Sequence, residues 1–174
     1  MPGVRKMLSD WKAPYIQSLM RLIETQGKAT LAHWAIDYAA RVMLPLWLRI
    51  YPDDRRPQLA LEAARDWLAG NIKLPPAKSA ILACHAAARA AGDPVAQAAA
   101  RAIAQSASTI HSARHCLGLP LYGALAVAYA SLGTSAAWPQ LEQCAAGECG
   151  RMLAALQAVA VENEAHPAKI DWQC

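Results

Sequence analysis

The sequence predicts an all-α protein, a compact bundle of about seven helices, and three observations carry the prediction. Alanine dominates the 174 residues and phenylalanine is absent. The β-branched residues are scattered rather than alternating, so intrinsic preference favours helix along most of the chain. Proline and glycine mostly fall where they would open and close helices. The length suits one domain with a sizeable core and is short for two, so residues 1–174 are read as a single helical domain.

The elements follow in order. Pro14 opens a helix over about 15–26, closed by Gly27, with Ile16, Leu19, Met20 and Ile23 on one face. Thr30 caps a second helix to about Arg49 that is apolar around most of its circumference, and Pro45 inside it predicts a kink or a re-entry. After the turn Tyr51 to Arg56, Pro57 opens a third helix that stops before Gly70. Pro75-Pro76 start a fourth, ending at Gly92. Asp93-Pro94 launches a fifth as far as His115, with Gly118 as its terminating residue. A sixth spans 119–132, and a seventh spans 148–163 after a connection containing Cys144. No internal repeat indicates a solenoid. Alanine-lined faces let helix axes approach closely, which favours a compact bundle.

Charge and cysteine content exclude several classes. Lys and Arg number 17 against 13 Asp and Glu, a dispersed surplus of four that lacks the basic stripe of a nucleic-acid binder. The stretch 116–141 is uncharged, but Pro120, Gly123, Gly133 and Pro139 leave an apolar piece of roughly fifteen residues, below the ~20 of a membrane span. A buried core helix is expected there. Residues 1–14 interleave charge with apolar side chains, unlike a secretory signal. The odd set Cys84, Cys116, Cys144, Cys149 and Cys174 argues against a disulfide framework, so reduced thiols in the cytoplasm are expected.

Several constellations could carry chemistry. His33, Asp37 and Arg41 lie at i, i+4 and i+8 on the second helix, either as its solvent-facing strip or as a polar pocket in the bundle. His111 and His115 are again four apart and could share a helical face; His85 or His33 could add a third ligand, but two ligands make no metal site and His-Ser-Ala-Arg-His is not a zinc-protease motif. A cationic His115 would also suit a helix C-terminus. Cys144 and Cys149 form a C-x₄-C pair with no second pair, too wide for a usual zinc hook. Asp53 or Asp54 would cap the third helix, while Arg55 and Arg56 could form a binding rim. No phosphate-binding Gly-rich loop and no G-x-S-x-G elbow occurs. No catalytic residue, metal or cofactor is assigned.

The order WAIDYAARVMLPLW, YPDDRRPQLALEAARDWLAGNI and AILACHAAARAAGDPVAQAAARAIAQSASTIHSARHCLGLPLYGALAVAYA resembles a bacterial immunity-protein family, the immunity-like domain associated with polymorphic toxin systems. The likeness runs from about Leu31 to Ala130 and includes Glu62, Arg65, His85, His111 and His115. It implies a small intracellular helical protein that binds and neutralises a cognate toxin, and it implies no catalytic residues. Recognition could then use Trp11, Tyr51, Arg55, Arg56 and Trp138, residue types enriched at binding hot spots. The alternative is a small-ligand or metal site, or an enzyme, where His33, Asp37, Arg41, His85, Arg89, His111 and His115 converge between helices. A third reading is a structural domain whose 117–132 segment packs against a second copy. The residues also lead us to expect His85, His111 and His115 to approach one buried or cleft-lining region.

Overall fold

The computed structural model describes residues 3–173, and every described element is helical. Helix α1 is Pro14–Ile23. Helix α2 (Lys28–Tyr38) continues through a π-helical turn, Ala39–Met43, into α3 (Leu44–Ile50). Helices α4 (Arg56–Leu68), α5 (Leu74–Ala90) and α6 (Pro94–Ser108) follow. A 3₁₀ helix, Ala113–Leu117, leads to a second π-helical turn, Leu119–Ala124, then α7 (Leu125–Leu132) and α8 (Trp138–Val159). With each run through a π turn taken as one rod, the described residues form seven rods in a compact bundle.

Prolines set most of the starts, as expected. A proline stands in the first turn of α1, α4, α5, α6 and α8, where its missing N–H would have had no helical partner. Asp93 caps α6, its carboxylate accepting from Ala96 N at 2.9 Å. Gly70 and Gly133 close α4 and α7 at φ +79° and +80°, a conformation that glycine alone adopts without a side-chain penalty. At Pro45 the α-helix is re-entered, as expected: α2 gives way to the π turn, and α3 begins at Leu44 with the proline in its first turn. The wider turn just before it accommodates a residue that lacks an N–H and crowds the preceding carbonyls.

Four expectations are corrected. Thr30 is not a cap: α2 begins two residues earlier with Gly27 at its N-cap. Helix α1 stops at Ile23, with a tight turn before Gly27. Helix α6 ends at Ser108 rather than His115. Ser106 and Ser108 hydroxyls bond back to the carbonyls of Ala102 and Ala104, both at 2.7 Å, offering the chain a competitor to further helix. Helix α8 starts ten residues before the predicted 148, so Cys144 and Cys149 lie within it. Burial of Leu141, Ala145, Cys149, Met152 and Leu156 at helical spacing outweighs the cost of Gly147 and Gly150 inside the helix.

Helix α6 is the centre of the bundle. It packs against α2, α3, α4, α5, α7, the 3₁₀ helix and both π turns. Alanines 96, 98, 99, 100, 102, 104 and 107 are buried along it, and their short side chains permit this crowding of axes. Ala113–Leu132 is long and apolar enough to cross a membrane by length and composition, and 67% of its most apolar window is buried among the other helices. The 117–132 segment proposed for self-association spends Leu117, Leu119, Leu121 and Leu125 on the core of its own chain.

Gly118 is not a left-handed terminator; its φ is −61°. A Cβ there would collide with Gln105 Cβ and lie 2.5 Å from Gln105 Cγ, so the glycine marks a close approach of the 3₁₀ helix to α6. Polar groups in the interior are paired. Glu148, 3% exposed, accepts from the Tyr38 hydroxyl and from Arg151 Nε at 2.8 Å, and burial, followed by this carboxylate, pushes the Tyr38 pKa up. Both chain ends are tied down: Leu8 N bonds Leu121 O at 2.8 Å, while Gln26 accepts from Val161 N at 2.7 Å through its side chain and from Ala168 N at 2.8 Å through its carbonyl.

Two predictions follow from this packing. Gly118→Ala should lower stability by about 1–3 kcal/mol, read as a reduced urea midpoint, because the Gln105 atoms it meets lie near that residue's own backbone. Cys84, Cys116 and Cys149 are free and buried, and burial raises all three thiol pKa values, those of Cys84 and Cys149 to about 12. Among the described cysteines only Cys144 should react quickly with a thiol reagent in the folded protein, the other three after unfolding. Cys174 lies outside the described residues.

Candidate functional site

Helix α6 is enclosed except along one line. Gln97, Arg101 and Gln105, at i, i+4 and i+8, are its half-buried polar side chains, and the residues between them are buried or nearly so. Each reaches a neighbouring element. Gln97 Nε2 donates to Ala88 O at the end of α5 at 3.2 Å. Arg101 Nη1 lies 2.7 Å from His85 Nδ1 on α5. A guanidinium can only donate, so His85 accepts at Nδ1 and carries its proton on Nε2. Gln105 Oε1 accepts from His115 Nδ1 of the 3₁₀ helix at 2.8 Å.

His111 and His115 are neighbours, their ring centroids 5.5 Å apart, although not for the reason their spacing gave. They are not on one α-helix: His111 sits in the turn after α6 and His115 in the 3₁₀ helix. His85 and His115 are held by Arg101 and Gln105, which stand one turn apart on α6. The three expected histidines therefore gather beside the α6 stripe, with His111 at the exposed end. Among the described residues no group of three His, Cys, Asp or Glu side chains is arranged to hold a metal ion.

The other candidates lie elsewhere. His33, Asp37 and Arg41 are exposed on α2 and the following π turn; Asp37 pairs with Arg65 at 3.0 Å and Arg41 lies 5.3 Å from the Tyr38 ring, so this stripe is the solvent-facing one. Tyr51 stacks on Trp47 at 4.7 Å and accepts from Gly92 N through its hydroxyl. Arg56 clamps Asp54 at 2.7 Å, and the pair holds the Asp54 pKa below its ordinary value. The expected cap is corrected: Arg55 is the N-cap of α4 and makes no side-chain cap bond, while Asp54, one residue before it, accepts from Arg56 N at 3.1 Å. Arg55 is exposed, 3.9 Å from Glu62. Trp138 is half-buried beneath the Arg5 guanidinium, 3.8 Å from its ring centroid.

Two cavities border the stripe and share Met7 and Tyr122. One is lined by Gln105, Arg114, His115, Trp11, Asp171 and Trp172 among others; Trp11 and Trp172 meet edge to face at 6.4 Å. The second is lined by Lys6, Met7, Arg89, Gln97, Arg101 and Tyr122. The sequence reading missed Lys6, Gln97, Arg101 and Gln105. The signal was present: a three-residue polar line at helical spacing in an otherwise alanine-rich segment.

The family model described as "Imm-5 like putative immunity protein" matches residues 21–155. The chain belongs to this family. The match extends the resemblance at both ends, from within α1 to within α8, and takes in the α6 stripe, Arg89 and all three gathered histidines. Lys6, Met7, Trp11 and Trp172, which complete the cavities, fall outside the family's matched region. No curated protein and no solved structure matches the chain.

The electrostatics of the histidines give a test. The His85 pKa is pushed down from 6.5 to about 4, first by burial and then by Arg101, Arg89 and His115. Burial and neighbouring cations also lower His111 and His115. Between pH 6.5 and about 4 the unfolded chain thus binds protons at His85 that the folded chain does not, so stability rises with pH across this window. Urea midpoints should fall as pH is lowered from 7 to 4.5, and His85→Gln should flatten that fall. Equal slopes for the two proteins would contradict the assignment.

Proposed function

We propose that the chain is an immunity protein that binds a cognate bacterial toxin in the cytoplasm and neutralises it by occupancy, with no reaction of its own. The observation that carries this reading is the family match over residues 21–155, which covers almost the entire helical body rather than a short motif. A rigid bundle fits the task. Its core is fixed by close packing, so a docking surface needs little ordering when a partner arrives. Free thiols at all four described cysteines are in keeping with a reducing compartment.

Among the recognition candidates, Arg55 and Trp11 keep the most freedom. Arg55 is exposed with only a long contact to Glu62, and Trp11 remains 37% exposed beside Trp172. Tyr51, Arg56 and Trp138 are already held by Trp47, Asp54 and Arg5, so their contribution to a partner would be smaller.

The test is co-expression with the toxin encoded next to this gene. The expected result is restored growth and a stable complex on gel filtration, with Arg55→Ala and Trp11→Ala weakening binding by about 1–2 kcal/mol each. A toxin that kills equally well with and without the chain, and that forms no complex with it, would overturn the reading.

A further inference from the structure

The cavity lined by Lys6, Met7, Arg89, Gln97, Arg101 and Tyr122 contains three cations and no carboxylate. None of the three has an acidic partner among the described residues. Four arginines elsewhere are held differently: Arg56, Arg65 and Arg151 each meet a carboxylate within 3.0 Å, and Arg5 covers a tryptophan ring. Like charges that converge on one cavity repel, and the repulsion is relieved when an anion enters.

Arg101 is also held in place. It emerges from the most crowded helix of the fold and donates to His85, which accepts only while neutral. That histidine is a positioning residue. It holds the guanidinium without neutralising it, as a carboxylate would. Gln97 and Tyr122, both uncharged, complete the same wall.

We infer that this cavity is a binding site for a small polyanion of the diphosphate class, held by Lys6, Arg89 and Arg101. At about 360 Å³ it has room for more than a single oxyanion and falls within the range of small-ligand sites. Forked guanidinium donors match phosphate oxygens in pairs, and the lysine adds a point charge from the facing N-terminal segment. The inference does not rest on toxin binding, and its test does not require the toxin.

The experiment is calorimetric titration of the full chain with sodium pyrophosphate at low ionic strength and pH 7.5, with ADP and citrate in parallel. Saturable one-to-one binding of pyrophosphate is expected, weakened at least about tenfold by Arg101→Gln, by Arg89→Gln and by Lys6→Gln. Arg21→Gln on α1 removes the same charge away from the cavity and should leave the affinity unchanged. ADP binding more tightly than pyrophosphate would assign the phosphates to a nucleotide; equal affinity would assign them to a free diphosphate. By proton NMR, the His85 titration midpoint should move upward by about half a unit or more when the site is filled, since the ligand offsets the field of Arg101 and Arg89, with His115 the other charge facing that ring. Absence of saturation below about 1 mM, an equal loss in Arg21→Gln, or tighter binding of citrate would overturn the inference. Lys6 and Arg89 are exposed, so their variants keep the test decisive if Arg101→Gln does not fold.

Discussion

The architecture depends on a helix with almost no side chains wrapped by helices that have large ones. Along α6 the alanines shorten the distance at which another axis can pass, and neighbouring helices and π turns use that space. The larger apolar groups come from the surrounding elements, with Leu31, Ile36, Met43, Leu61 and Leu117 buried around it. Close approach on nearly every side leaves one line of α6 open to polar side chains, the stripe Gln97, Arg101 and Gln105, while Ile103 is the one large apolar side chain that α6 itself buries. Packing and site therefore have a common origin, because the crowding that buries the alanines also decides where Arg101 emerges.

Much of this was legible in the sequence because it is local. Proline in the first turn, Asp93 as a cap and Gly70 past an end act within a few residues of themselves, and the helices they define appear where expected. What could not be read was the outcome of competition between local and distant effects. Trp138-Pro139 and Gly147 looked like a connection, yet a buried face on α8 holds the segment helical from Trp138 onward. Helix α6 ends at Ser108, where the Ser106 and Ser108 hydroxyls bond back to the preceding turn, against an apolar pattern that could have continued.

The candidate site divides in the same way. The test that selected His33, Asp37 and Arg41 selects Gln97, Arg101 and Gln105 equally well, since both are polar lines at helical spacing. Which of the two faces a cleft depends on what lies opposite. Opposite the α6 line run residues 6–11 of the N-terminal segment, anchored through Leu8 to the backbone of Leu121. The α2 line has only a salt bridge with α4 and solvent. The histidines gather in part through tertiary contact: His111 and His115 meet across a turn and a 3₁₀ helix, and His85 arrives from α5.

The stripe has a further consequence for how the protein can change over generations. Enlarging any buried alanine of α6 would push on a neighbouring axis and strain the whole bundle. Exchanging Gln97, whose side chain is half-buried and bonds only the end of α5, would instead alter what the cavity presents with less strain on the packing. Positions that set selectivity and positions that set architecture thus alternate along one helix, four residues apart. Descendants of this chain can acquire new preferences by single exchanges at the stripe while keeping an unaltered scaffold.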